Sequence, residues 1–128
     1  MLTRIVLAAV ATIAVAQPAL AVDRQPYSAA ALQAAQVKGR SVLVDVAAPW
    51  CPVCKSQEAK VTRITADPRY AELLILRLDY DTQKNEWRAL GATKQATLIG
   101  YKGRQEVGRI AFQTDEKLIA GLLAKTVK

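Results

Sequence analysis

The sequence predicts a single α/β domain with a central mixed β-sheet flanked by helices, and three observations lead to this prediction. Its 128 residues are 52% apolar and 23% charged, a composition typical of one globular domain. Two apolar runs of strand length, 42–47 and 73–80, resemble strands that are buried on both faces. A helix-length segment separates these runs and a predicted hairpin follows them, so parallel and antiparallel pairs are expected in one sheet.

The first 21 residues differ from the rest and are interpreted as a secretory signal peptide. Arg4 provides a positive start, 5–16 form an uncharged apolar run, and small residues before and at Ala21 are typical of a cleavage site there. An uncleaved membrane anchor is the alternative, but twelve apolar residues span only about 18 Å of a bilayer core about 30 Å thick. We therefore expect a periplasmic or secreted domain, residues 22–128, with no stable membrane anchoring after cleavage.

The charge of this domain indicates a solvated surface. Removing Arg4 with the signal leaves 17 basic and 11 acidic residues, a net charge of +6. The basic residues are scattered singly among acids instead of forming a run. Together with export, this pattern argues against nucleic acid as a partner.

The domain is predicted to begin with a polar lead-in and a helix. Residues 22–27 are the lead-in. Ser28 is a typical N-cap for a helix over 29–37, and Lys38 with Gly39 is a typical end for it. The first buried strand, described above, follows.

A second helix is predicted to start at Cys51, because Pro52 suits the first helical position. The sequence 67–68, Asp-Pro, is expected to stop it. Apolar residues recur at helical spacing and predict an inward face, formed by Cys54, Val61 and Ile64.

The C-terminal half is predicted as a strand, a short helix, a hairpin and a last helix. These elements cover 73–80, 82–90, 96–101 with 105–111, and the residues after Thr114. Thr114 is expected to cap the last helix, with acids in its first turn and Lys125 in its last. Its predicted core stripe is Leu118, Ile119, Leu122 and Leu123.

The only two cysteines, Cys51 and Cys54, are separated by Pro52 and Val53, and three uses of such a pair can be compared. A disulfide across so short a loop stabilises by only about 2 kcal/mol and ties no distant elements together. A zinc site needs four ligands, and the chain offers two thiols and no histidine, so a closed site within one chain is excluded unless carboxylates contribute. A two-thiolate Cu(I) site, or a cluster shared by two chains, stays open because soft thiolates select such metals.

Thiol–disulfide exchange fits the pair best. Cys51 at a helix N-terminus meets free N–H groups and the positive end of the helix dipole, which favour the thiolate. Lys55 adds a nearby positive charge. A Cys51 thiolate would attack a partner's disulfide, and Cys54 would resolve the mixed disulfide. This chemistry predicts an exposed Cys51 with Cys54 one turn away.

The residues around Cys51 and Cys54 make the segment 28–128 resemble the thioredoxin-like superfamily. The stretch VLVDVAAPWCPVCK is similar to the family's central strand and active-site turn. The resemblance implies the thioredoxin fold, Cys51 as nucleophile, Cys54 as resolving thiol, a redox disulfide between them, and no cofactor. Asp45 matches the family's buried acid, which implies that it takes the proton from Cys54, and Arg77 falls where the family often has a lysine. The alternative for Asp45 is a strand-end acid paired at the surface, but its place in an apolar run favours burial.

The same resemblance implies a substrate-binding surface around the cysteines, with simple packing an equal alternative for its tryptophan. The residues concerned are Trp50, Pro52, Val53, Gln95, Ala96 and Thr97. The stretch TLIGYKGRQEVGR looks like the family's hairpin, but Ala96 stands where the family has a cis-proline. A cis bond before a residue other than proline costs about 2.5–4 kcal/mol, so the Gln95–Ala96 bond is predicted to be trans. Because that proline is thought to keep metal from the dithiol in the family, its absence leaves a dithiol copper carrier as the alternative function.

The dipeptide between the cysteines predicts the direction of electron flow. Strongly oxidising periplasmic members of the family carry a histidine there, whereas Pro52 and Val53 have neither a charge nor a side-chain donor. The resemblance therefore implies a milder, more reducing couple in a periplasmic thiol–disulfide oxidoreductase. Its expected partners are disulfide-bearing exported proteins and, as a source of electrons, a membrane conduit.

Overall fold

The structure is a computed structural model that describes residues 11–16 and 22–128, and at its centre is a five-stranded mixed β-sheet. The strands are β1 (Asp23–Pro26), β2 (Ser41–Ala47), β3 (Leu74–Asp79), β4 (Thr97–Lys102) and β5 (Gln105–Ala111). The helices are α1 (Ala29–Val37), α2 (Pro52–Ile64), α3 (Lys84–Ala89) and α4 (Glu116–Val127), with a 3₁₀ turn over Pro68–Tyr70. The predicted α/β class is confirmed.

The predicted signal peptide falls largely outside the described residues. Of residues 1–21 only 11–16 are described, without regular secondary structure, and the predicted cleavage position at Ala21 is not among them. Within 11–16 and 22–128, no helix has the length and apolar character needed to cross a membrane.

Strand β2 lies in the middle of the sheet, whose order is β1-β3-β2-β4-β5. It pairs in parallel with β3 and antiparallel with β4, so both of its edges are hydrogen-bonded. Every residue from Val42 to Ala47 is buried, as the apolar run predicts. The hairpin is confirmed as well: β4 and β5 are antiparallel, and Gly103 takes a positive φ of +57° in the turn between them.

The predicted polar lead-in is wrong, because Asp23–Pro26 form strand β1. This strand pairs in parallel with the edge of β3, with Arg24 opposite Ile75. Its side chains are mostly exposed, so the sequence shows neither an apolar run nor a clear alternation. Backbone hydrogen bonds to β3 hold it in place, and only the partner strand reveals that pairing.

The alternation of β2 side chains divides the core into two layers. Val42, Val44 and Val46 face the layer that contains residues of α1 and α3. Leu43 faces the other layer, with Val61 of α2 and the apolar face of α4. Because side chains alternate along a strand, Asp45 shares the face of Leu43 and lies on the side of α2.

The last helix corrects two details of the sequence analysis. Asp115, and not Thr114, is the N-cap residue, and its carboxylate accepts a hydrogen bond from the Leu118 N–H at 3.0 Å. Leu118 is 49% exposed and lies outside the core stripe, whereas Ile119, Leu122 and Leu123 are buried. Leu118 lies in the first turn of α4 and lines an open pocket with Gly108 and Ile110 of β5.

The cap yields a prediction about stability. Asp115→Ala removes a side-chain acceptor for a helical N–H and is expected to lower the free energy of unfolding by about 1 kcal/mol. Thr114→Ala is the matched control and should change it by less than half as much, because no side-chain cap is lost. Urea unfolding of both variants measures the difference, and equal losses would contradict the assignment of the cap.

Candidate active site

The two cysteines are brought together by the start of α2, just after β2 ends. Cys51 is the N-cap residue, with extended backbone, and Pro52 is the first residue of the helix. The Cys51 sulfur accepts a hydrogen bond from the Cys54 backbone N–H, with an N–S distance of 3.1 Å. Both cysteines are free thiols, so the structure describes the dithiol form. The predicted placement at a helix N-terminus, one turn apart, is confirmed.

The expectation of an exposed attacking thiol is wrong. Cys51 is 1% exposed and Cys54 is 4% exposed. Both pack in a small cluster with Ala47, Ala48 and Ala96, which covers them from the end of β2 and the start of β4. Among residues 11–16 and 22–128, no three cysteine, aspartate or glutamate side chains converge into a group able to hold a metal ion.

The environment of Cys54 opposes loss of its proton. Burial is the main cause that raises the pKa of the Cys54 thiol, and its hydrogen bond with Cys51 adds to the effect. Backbone hydrogen bonds at Ala48 and Ala96 act in the opposite direction but are weaker. Cys54 therefore needs a proton acceptor before it can act as a nucleophile.

Asp45 is a buried carboxyl in the central strand, 7% exposed. Burial raises its pKa from the ordinary value of 3.8 to about 6, while the charges of Arg77 and Arg24 lower it and that of Glu58 raises it. The burial expected from the apolar run is confirmed, and the alternative of a surface ion pair at a strand end is wrong. Its role in proton transfer stays a prediction.

Asp45 is reached through an open cavity of about 390 Å³ between β1, β3 and α2. The walls include Arg24, Glu58, Arg77 and Asp79 as well as Asp45 itself. The cavity therefore collects five ionisable side chains from four elements, and solvent in it can exchange protons with the buried carboxyl. Sequence reasoning found Asp45 and Arg77 but missed Glu58 and Arg24, since only the fold brings α2 and β1 against this part of the sheet.

Trp50 is an exposed aromatic residue next to Cys51. Its side chain is anchored, although 56% exposed: the indole Nε1 donates to both carboxylate oxygens of Asp81, at 3.2 and 3.0 Å. Its ring also meets Tyr80 edge to face, with centroids 6.3 Å apart. Pro52 is exposed and Val53 is half-buried. The structure thus presents an apolar surface beside the motif, and its use in substrate binding stays a prediction.

Ala96 occupies an unusual backbone conformation beside the cysteines. The Gln95–Ala96 bond is trans, as predicted, since no cis peptide bond occurs in 11–16 or 22–128. Ala96 has a φ of +55°, in the left-handed region, which costs a residue other than glycine about 1–2 kcal/mol. It is fully buried, whereas Gln95 is half-buried. Thr97 is also buried, and its hydroxyl donates to the Lys94 carbonyl at 2.8 Å.

Gln57 stabilises the left-handed conformation of Ala96. Gln57 was not among the residues predicted from the sequence. Its side-chain Nε2 donates to the carbonyls of Ala96, at 3.0 Å, and Gln113, at 2.8 Å. Gln57 is fully buried, and its Oε1 has no hydrogen-bond partner among the described residues. A signal was present, because Gln57 lies three residues after Cys54 and four before Val61, on the inward face of α2.

The raised pKa of Asp45 predicts how stability depends on pH. The native state holds this proton more tightly than the unfolded chain, so wild type loses stability as pH rises from about 4 to above 6. Asp45→Asn cannot ionise. The stability of this variant relative to wild type should therefore be about 2 kcal/mol greater at pH 8 than at pH 4. Urea unfolding of both proteins at the two pH values measures this change. A difference that does not vary with pH would contradict the buried carboxyl.

Comparisons with known proteins agree with this geometry. The family model described as Thioredoxin matches residues 24–124. Thioredoxin of Chlamydia muridarum is 32% identical over 84 residues, which cover 66% of this chain and 80% of that protein. Among solved structures, Trxlp from Edwardsiella tarda EIB202 is 40% identical with a TM-score of 0.75, and the match covers 79% of this chain and 98% of that one.

A more distant structure supports the fold alone. Thioredoxin NaTrxh from Nicotiana alata is 19% identical with a TM-score of 0.71, over 90% of this chain and 100% of its own. The family model and the two more similar relatives confirm the resemblance drawn from the residues around Cys51 and Cys54. The chain belongs to the thioredoxin family of thiol–disulfide oxidoreductases.

Proposed function

We propose that this protein works outside the cytoplasm and reduces or exchanges disulfides of exported proteins through Cys51 and Cys54. The observation that carries the proposal is the N-cap geometry, in which the Cys51 sulfur accepts the Cys54 N–H at the start of α2. A sulfur in this position meets the free N–H groups and the positive end of the dipole at the start of the helix, the setting typical of an attacking cysteine. The export is inferred from the pattern of residues 1–21.

The reaction proceeds in two exchanges. The Cys51 thiolate attacks one sulfur of a partner's disulfide, forms a mixed disulfide and releases the partner's other sulfur as a thiolate. Cys54 then loses its proton and attacks the Cys51 sulfur, which forms the Cys51–Cys54 disulfide and releases the partner's second thiolate. The partner gains two electrons, and the cysteine pair is oxidised by two.

Asp45 supplies the proton acceptor that Cys54 needs in the second exchange. With a pKa of about 6, its carboxyl is largely ionised at neutral pH but binds a proton more readily than an ordinary aspartate. The cavity beside Asp45 then passes the proton to solvent and finally to the released thiolate. Because burial raises the pKa of Cys54, deprotonation is the step at which such a base matters most.

The partner surface follows from the exposed residues around the motif. Trp50 and Pro52 present apolar area, and Ala96 brings buried backbone close to the cysteines. We expect this surface to receive an extended segment that carries the disulfide. An exported reductase also needs a supply of electrons, which we assign to a membrane conduit that reduces the Cys51–Cys54 disulfide.

Replacing the resolving thiol should trap partners. In Cys54→Ser the attack by Cys51 is retained, but the second exchange cannot occur, so mixed disulfides with exported proteins accumulate on non-reducing gels. Catalysed reduction of insulin should fall to the uncatalysed rate. Cys51→Ser is the matched control, which should lose the activity without trapping any partner. Equal trapping by both variants would overturn the assignment of Cys51 as nucleophile.

The reduction potential of the pair tests the predicted direction of electron flow. Equilibration of the mature chain with thiol buffers should give a value near that of thioredoxin, about −270 mV, because Pro52 and Val53 do not stabilise the thiolate. A value toward about −120 mV would mark an oxidant and contradict the prediction. A pair that does not titrate reversibly, and that binds Cu(I) stoichiometrically in wild type but not in Cys51→Ser, would favour a copper carrier.

A further inference from the structure

Arg77 lies next to Asp45 but forms its ion pair elsewhere. The parallel register of β2 and β3 places the two residues opposite each other, and both line the same cavity. The Arg77 guanidinium nevertheless contacts Glu58 of α2, with an NH1–Oε2 distance of 3.5 Å. In the described part of the chain, the Asp45 carboxyl forms no ion pair and no side-chain hydrogen bond.

The other charged groups that face Asp45 are engaged as well. Arg24 of β1 donates to the Thr62 hydroxyl on α2 at 2.9 Å. Asp79 of β3 accepts two backbone N–H groups, at 2.8 and 3.0 Å. On β4 the residue opposite is Leu98, which carries no charge. Within residues 22–128, Asp45 is thus the ionisable side chain of the cavity that lacks a partner.

We propose that Glu58 is a positioning residue for Asp45: it holds the Arg77 guanidinium on α2 and thereby leaves the Asp45 carboxyl free to accept the proton of Cys54. This inference rests on the proposed function in one respect, the proton transfer from Cys54 to Asp45. Glu58 would act on Asp45 through Arg77, because the direction of the Arg77 side chain decides whether its guanidinium contacts Asp45.

The two possible ion pairs of Arg77 would have different consequences for Asp45. The side chains of Arg77 and Glu58 are 43% and 45% exposed, and a pair so exposed to solvent adds little to stability. A guanidinium bound to the buried Asp45 would instead form a charge-assisted hydrogen bond that favours the carboxylate strongly. Asp45 would then be a poor proton acceptor. The charge of Arg77 lowers the pKa of Asp45, and the charge of Glu58 raises it through space. This direct effect of Glu58 therefore has to be separated from its contact with Arg77.

The experiment measures the protonation of Asp45 directly. Carboxyl ¹³C NMR of the reduced protein gives the titration midpoint of Asp45 in wild type, Glu58→Gln, Arg77→Gln and the double variant. We expect a lower midpoint in Glu58→Gln, because Arg77 is free to turn toward Asp45, and a higher one in Arg77→Gln. Glu116→Gln is the matched control, since Glu116 pairs with Arg63 of α2 at the protein surface and does not line the cavity.

The double variant separates positioning from a simple effect of charge. If Glu58 acts by holding Arg77, Glu58→Gln should change the midpoint much less when Arg77 is already glutamine. If the Glu58 charge acts on Asp45 through space, the change should be the same in both backgrounds, and the inference is then overturned.

A kinetic readout links the midpoint to the reaction. With 5,5′-dithiobis(2-nitrobenzoate) as the disulfide, the second release of thionitrobenzoate reports the attack by Cys54. Its pH profile should shift in Glu58→Gln in the same direction as the Asp45 midpoint, and it should not shift in Glu116→Gln. Two results together would overturn the inference about Glu58 and leave the proton transfer standing. These are an unchanged Asp45 midpoint in Glu58→Gln and a slow second release in Asp45→Asn. A second release as fast in Asp45→Asn as in wild type would refute the proton transfer and the inference with it, while the two thiol exchanges would stand.

Discussion

The active site depends on the double pairing of strand β2. Hydrogen bonds to β3 on one edge and β4 on the other fix this strand in the middle of the sheet, where all residues from Val42 to Ala47 are buried. Two functional positions follow from it. Its end determines where Cys51 begins α2, and its alternation turns Asp45 toward α2 and the cavity. The pairing thus holds a carboxyl in a buried strand, where its ionisation costs free energy.

The surroundings of the two reactive thiols are small and apolar. Ala47, Ala48 and Ala96 pack against the cysteines, and this burial suppresses ionisation of Cys54 more than its backbone hydrogen bonds favour it. Chemistry at such a thiol depends on a base nearby. We propose Asp45 for this role, and its charged neighbours are each engaged by other groups. An arrangement of this kind separates proton acceptance from ion pairing, which would otherwise compete for the same carboxyl.

Ala96 stands where the family has a cis-proline, and hydrogen bonds hold its backbone in a different conformation. The peptide bond before Ala96 is trans, and the residue itself is left-handed. Its carbonyl accepts hydrogen bonds from Gln57 and from the Phe112 N–H, at 3.0 and 2.8 Å, which hold the strained conformation. Phe112 is itself left-handed, with a φ of +58°. Two bonds to one carbonyl thus connect α2, β4 and the end of β5 beside the cysteines.

Residues close together in the sequence determined a large part of this protein. The apolar run 42–47, the spacing of Cys51 and Cys54, and Pro52 at the helix start predict the central strand, the paired thiols and the buried Asp45, because periodicity and capping act over a few residues. Strand β1 has no such local signal, since its pairing with β3 defines it. The burial of Cys51 and the contacts of Gln57 and Glu58 were likewise decided by the tertiary structure. They depend on which side chains of distant elements meet, and local patterns carry no information about those distances.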